Sequence, residues 1–187
     1  MSHSEELYQK LDDGERQIRL VTIEPGEWTD DIQCTLEQTS LATAKPYQAL
    51  SYVWGDPTVT KDIIVDGRTF QATVNLESAL RHLRRDDTPR VMWIDAICIN
   101  QIDTEERSSQ VSFMRDIYQQ SILTVIWLGN GDERVKSLFD LTREFFNQRP
   151  GVEQWDDDNG LVFRELTKSK YGYRALEFLA TDFLKRP

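Results

Sequence analysis

Two apolar runs, Val91-Met-Trp-Ile94 and Leu123-Thr-Val-Ile-Trp-Leu128, bracket a helical stretch and constrain the fold more than any other feature of this chain. Uninterrupted apolar runs of this length mark strands covered on both faces. The segment between them opens with Asp103-Thr-Glu-Glu106, which fits a capping box: Asp103 accepts a first-turn amide while Glu106 reaches back. Val111, Met114 and Tyr118, with Ile117 beside them, predict the core face of that helix. Strand, helix and strand make a βαβ unit, whose crossover is right-handed in nearly all cases, so the two strands are expected to be parallel neighbours.

The first 75 residues read as strands. Ile18-Arg-Leu-Val-Thr-Ile23 and Ile32-Gln-Cys-Thr-Leu36 alternate, with the breaker-rich Glu24 to Asp31 between them, and predict a hairpin or two edge strands. Gln48-Ala-Leu-Ser-Tyr-Val-Trp54 is a third strand, stopped by Gly55-Asp-Pro57. Ile63-Ile-Val65 and Arg68-Thr-Phe-Gln-Ala72 flank Asp66-Gly67, a strong signal for a two-residue hairpin turn because both positions must tolerate positive φ. Asn75 then caps an expected helix with Leu76, Ala79, Leu80 and Leu83 on one face, and the basic run Arg81 to Arg85 is expected to lie solvated at its end.

Beyond Leu128 the pattern predicts a helix capped by Asp132, carrying Val135, Leu138, Phe139, Phe145 and Phe146, and ended by Pro150-Gly151. Glu153 to Gly160 is a polar excursion. A last helix, about 172 to 184, is expected from Leu176, Leu179, Ala180 and Phe183. The sum is an α/β domain: a mostly parallel sheet flanked by helices, with hairpins added at the front.

Composition narrows function. With 187 residues the chain suits one domain. Its formal charge of −10 lacks the basic footprint of a nucleic-acid binder. No apolar run approaches the roughly 20 residues of a membrane helix, and Met1 to Glu6 has neither part of a signal peptide, so no membrane insertion and a cytoplasmic location are expected. Two cysteines and two histidines at unrelated positions offer no zinc spacing, and no metal is expected.

Several polar residues fall where strands end, the place at which open α/β sheets bind ligands. Asp95 directly follows the first apolar run; it is either a structural carboxylate pinning the turn or an acid facing a cleft. Asn100-Gln101 offers two side-chain amides able to read a ribose or base edge, or to form an ordinary turn. Arg107 and Gln110 precede Val111 and Met114 by four residues and should extend the buried helix face toward its first turn. Arg107 would there hold a phosphate or carboxylate, or pair internally with Asp95. Ser51, Tyr52 and Trp54 end the third strand; Trp54 can stack on a planar ligand or serve as aromatic core. Cys98, flanked by Ile97 and Ile99, has no histidine near it and reads as packing rather than as a nucleophile. Neither a Gly-rich phosphate loop nor a nucleophile elbow occurs.

Tyr47-Gln-Ala-Leu-Ser-Tyr-Val-Trp-Gly55, Trp93-Ile-Asp-Ala-Ile-Cys-Ile-Asn-Gln101 with Asp103 and Glu106-Arg107, then Gln110-Val111, Met114, Ile117-Tyr118 and Trp127-Leu-Gly129 together resemble the heterokaryon-incompatibility (HET) domain of filamentous fungi, in order and spacing. The resemblance implies a single domain over 1–187 with its core at about 47–129. It further implies a part in self/non-self recognition, as an effector of regulated cell death that works through protein partners or self-association and requires no cofactor. HET domains are in turn distantly similar to TIR domains, which have a flavodoxin-like fold and in some members cleave NAD. On that analogy Ser51-Tyr52 matches the end of the first sheet strand and Asp95 to Gln101 the loop after the second. NAD is then the expected nucleotide ligand or substrate. HET sequences continue past an Arg-Pro pair like Arg186-Pro187 toward the helix on which NAD-cleaving TIR domains carry their glutamate. A truncated C-terminal end is therefore expected, with the catalytic Glu beyond residue 187.

Overall fold

The sheet grows outward from an antiparallel pair, β1 (Gln17–Ile23) and β2 (Gln33–Ser40), held in register from Gln17 opposite Ser40 to Ile23 opposite Cys34. The computed structural model describes residues 7–127 and 129, and the backbone of two later strands, 167–169 and 172–179. The expected helix after Asp132 and the polar excursion at 153–160 lie outside the described residues.

Next come β3 (Gln48–Tyr52), β4 (Thr60–Val65) and β5 (Arg68–Thr73). They are followed by α1 (Val74–Leu83), β6 (Arg90–Trp93), the single turn α2 (Asp95–Cys98), α3 (Thr104–Gln120) and β7 (Leu123–Trp127). The strands β8 (Thr167–Ser169) and β9 (Gly172–Leu179) complete the described elements. Their order across the sheet is β5-β4-β2-β1-β6-β3-β7-β9-β8.

The β4–β5 hairpin turns at Asp66-Gly67, both with positive φ (50° and 73°), as a two-residue primed turn demands. β1 and β2 form an antiparallel pair, yet neither is an edge: β4 pairs in parallel with β2, and β6 flanks β1. The sheet is accordingly mixed rather than mostly parallel. Its parallel part is β6-β3-β7-β9, with α1 on the connection from β3 to β6 and α3 on that from β6 to β7, while β1 joins β6 in antiparallel.

Strands β6 and β7 are not neighbours, contrary to the expectation from the βαβ pattern. β3 lies between them, with Ala49 opposite both Trp93 and Thr124. A crossover helix of 17 residues is long enough to step over one strand, and the fully buried Ala49-Leu50 pair supplies the two-faced apolar strand that fills the gap. The segment Gly172–Leu179 is a strand in parallel with β7, not the expected helix. Its Leu176 and Phe178 also lie two apart with Glu177 between them, and a segment this short fits either period until pairing decides.

Side-chain use corrects three further expectations. Helix α1 starts at Val74, capped by Thr73, whose hydroxyl accepts from Leu76 N at 3.2 Å; Asn75 is not the cap. The basic run at the end of α1 is solvated only at Arg85, not at Arg81 or Arg84. Arg84 is buried and donates to the carbonyls of Glu27, Asp30 and Asp31, while Arg81 reaches those of Trp28 and Asp30, so both fasten the β1–β2 connection to the helix. On α3, Val111 is 54% exposed, and the buried positions are Gln110 and Ile117. Gln110 is buried, as its place four residues before Met114 implies, with Gln17 O as its polar partner, while Val111 on the adjoining side of the helix is turned to solvent.

Candidate functional site

β6 delivers Trp93 and Ile94, both fully buried, to the carboxyl end of the sheet, and the chain there turns at once into α2. Asp95, the first residue of that turn, accepts from Ala96 N at 2.7 Å through Oδ1 and from the indole N–H of Trp54 at 3.1 Å through Oδ2. Burial raises its pKa above the ordinary carboxyl value, and the Trp54 and Ala96 bonds oppose that rise. Trp54 itself is 40% exposed. Its polar edge is engaged while part of its face meets solvent.

Gln101 closes the loop by donating Nε2–H to the Asp95 carbonyl at 2.9 Å. On β3, the Tyr52 hydroxyl is buried without a hydrogen-bond partner, and burial, followed by the nearby Asp95 and Tyr118, pushes its pKa up. Tyr118 arrives from α3, donates to Leu50 O at 2.9 Å and packs edge-on against Trp93 at 5.5 Å. The structure thus brings together Tyr52, Trp54, Asp95 and Gln101 at the ends of β3 and β6.

The remaining sequence candidates stand apart. Ser51 is half-buried opposite Ile126 of β7 and, by strand alternation, projects to the face opposite Tyr52. Asn100 uses Oδ1 to accept from Ile102 N at 3.3 Å, a local turn. Arg107 is exposed, donates at 3.5 Å to Gln101 O and does not pair with Asp95. Gln110 is fully buried but donates to Gln17 O at 2.8 Å, beside β1. Arg107 and Gln110 therefore do not flank Asp95 as the helix spacing suggested; α3 is rotated so that Glu106, not Arg107, faces inward.

Glu106 has another use than closing a capping box. Asp103 accepts from Glu105 N and Glu106 N, each at 3.0 Å, while the Glu106 carboxylate takes both arms of Arg19 (2.6 and 3.0 Å) and Asn100 N (2.7 Å). Sequence reasoning passed over Arg19, although a single charge inside Ile18-Arg-Leu-Val21 was a signal. It also passed over the true role of Asn75, whose side chain donates to Val53 O and accepts from Trp127 Nε1 at 2.8 Å. That amide ties the end of β3 to the end of β7.

Cys98 is fully buried, accepts from Ile94 N at 3.4 Å through Sγ and is pushed up to about 12 by burial. A thiol so enclosed packs as a small apolar group. Among the described residues no cluster of three His, Cys, Asp or Glu side chains could hold a metal ion, and no helix is long and apolar enough to cross a membrane. The cluster offers a carboxyl group whose pKa burial raises, an unpartnered buried hydroxyl and a partly exposed indole. Such a set can stack a planar ring and exchange hydrogen bonds with hydroxyl or amide groups.

The family described as heterokaryon incompatibility protein (HET) matches residues 47–179, a span that includes β3, β6, α3 and β7. A curated protein of Neurospora crassa, "Heterokaryon incompatibility protein 6, OR allele", is 40% identical over 156 residues, covering 74% of this chain. The aligned region spans 23% of that relative's own length. No solved structure matches the chain.

Proposed function

The chain belongs to the heterokaryon-incompatibility family, and on that premise we propose that it is an effector domain of fungal self/non-self recognition, acting in the cytoplasm through protein assembly to trigger regulated cell death. The observation that carries the assembly reading is the surface beside Asp95. Val53 (76% exposed), Trp54, Val59 and Val74 leave large apolar side chains in solvent. Hydrogen bonds hold them in one neighbourhood, from Val74 N to Val59 O at 3.2 Å and from Asn75 to Val53 O. Apolar residues grouped around a site favour protein contact. Light scattering on the purified chain tests this: self-association that Val53→Asp and Val59→Asp abolish is the expected result, and a monomer at all concentrations, with no partner captured by the cell-death machinery, would remove it.

A second reading, cleavage of NAD by a TIR-like domain, is favoured by strand order. The parallel strands in chain order β3, β6, β7, β9 lie as 2-1-3-4 across the sheet, the flavodoxin-like arrangement in which ligands sit outside the carboxyl ends. Tyr52, Trp54, Asp95 and Gln101 would contact the nucleotide, with the glutamate that acts on the N-glycosidic bond expected beyond residue 187, in the manner of carboxylates in glycoside hydrolysis. Incubating this chain, and one extended past Pro187, with NAD and following nicotinamide release separates the readings. Release from the longer chain supports cleavage; none from either leaves assembly alone.

A further inference from the structure

The segment ahead of β1 lies against the back of the Asp95–Gln101 loop. Tyr8 donates its hydroxyl to Ile97 O at 3.0 Å, and Arg19 donates to Cys98 O at 3.1 Å and to Gln9 O at 2.6 Å. The same guanidinium stacks over the Tyr8 ring at 4.8 Å and is paired through both arms with Glu106, which in turn accepts Asn100 N at 2.7 Å. Three residues of one short loop, Ile97, Cys98 and Asn100, are thus held by their main chain from behind. The other side of that loop presents Asp95 to Trp54 and Gln101 to Asp95 O.

We propose that Tyr8, Arg19 and Glu106 are positioning residues that set the geometry of the Trp54–Asp95 site through the loop at 97–100. The inference rests on the site reading above, but not on what the site binds or does. Its physical basis is the cost of the arrangement. Arg19 and Glu106 are both nearly inaccessible, and Arg19 Nε is left without a partner. A buried ion pair seldom stabilises a fold more than apolar residues of similar volume would, and its best-attested use is to fix one arrangement among several. Here the arrangement it fixes is a main-chain path. The fork of Arg19 is suited to that task, because one planar group can hold a carboxylate and two carbonyls at set angles. Further contacts seat the same region on α3: Arg16 pairs with Asp116 at 2.6 Å, and Ser109 donates to Asp13 at 2.7 Å.

Amide hydrogen exchange and the Trp54 indole resonance, both read by NMR on the full chain without any ligand, test the proposal. Tyr8→Phe removes the bond to Ile97 O and keeps the ring on Arg19; Arg19→Lys keeps the charge for Glu106 and loses the fork. In each, the amides of residues 97–100 should exchange at least about tenfold faster and the indole N–H signal should shift, while Ile64 in β4 exchanges as before. Unchanged loop exchange with an unmoved indole signal would overturn it, as would a rise in exchange of equal size at Ile64, which marks general loss of stability. Should Arg19→Lys fail to fold, Tyr8→Phe alone decides. Because no ligand enters the measurement, an absence of NAD cleavage or of assembly leaves the outcome independent.

Discussion

The indole N–H of Trp54 meets Asp95 Oδ2 at 3.1 Å, so a residue just past β3 caps the acid that follows β6. Burial raises the Asp95 pKa above 3.8, and a carboxyl group raised in the folded state contributes stability that is present below its ordinary pKa and lost as pH climbs through the raised one. Trp54→Phe removes a donor that opposes the rise. Urea denaturation at a series of pH values rising from the ordinary carboxyl pKa should therefore show stability falling over a wider range in Trp54→Phe than in the native chain, and Asp95→Asn should abolish this contribution to the slope. Equal slopes in all three proteins would sink the claim.

Glu77 behaves in the opposite sense. It is buried on α1, which alone would push it up, but Lys61 at 2.9 Å and Arg81 at 2.6 Å outweigh burial and hold its pKa below the usual 4.5. The stability it contributes is present above the ordinary value and disappears as pH falls through the depressed one. Glu77→Gln should cost about 1–2 kcal/mol at neutral pH, with the gap from the native chain closing in acid. A gap that is constant with pH would show that packing, not charge, is at stake.

Asn75 joins two strand ends through one amide, and its two bonds can be removed separately. Asn75→Ala strands the buried Trp127 indole N–H and should cost about 1–3 kcal/mol. Asn75→Asp retains the acceptor for Trp127 and loses only the donor to Val53 O, so it should fall between the native chain and the alanine variant. Thermal melts of the three proteins at neutral pH check the order.

Breaking the Arg19–Glu106 pair from one side leaves a buried charge, and Arg19→Met should cost about 3–5 kcal/mol. Combining it with Glu106→Leu should recover part of that loss, since no charge is then left inside. Chemical denaturation of both singles and the double closes the cycle. A double variant as unstable as the sum of the singles would mean that the two side chains do not act as a unit.

What the sequence reveals depends on how local the deciding physics is. The Asp66-Gly67 turn, the apolar strands at 48–52, 91–93 and 123–127 and the Asp103 cap are legible because turn chemistry and burial pattern decide them within a few residues. Strand order is not local. Nothing near Val91 or Leu123 shows that β3 separates them, and Gly172–Leu179 reads equally as a helix until β7 pairs with it. The site follows the same division. Asp95, Trp54 and Gln101 are located by their place at strand ends. The rotation of α3 that turns Arg107 to solvent and Glu106 to Arg19 is set by a partner 87 residues earlier in the chain.

Cys34 lies on β2 beside the β4–β5 hairpin and Cys98 at the end of α2 behind Asp95, near enough that Cys98 adds to the effect of burial on Cys34, and both thiols are pushed up to about 12. At neutral pH neither reacts in the closed protein, because a thiolate needs both deprotonation and access. Each cysteine is then a clock for the element that covers it. The rate at which a thiol reagent captures Cys98 times the opening of the Asp95 loop, and the rate at Cys34 times the parting of β2 from its neighbours, so equal rates mark one opening of their shared core and unequal rates mark two.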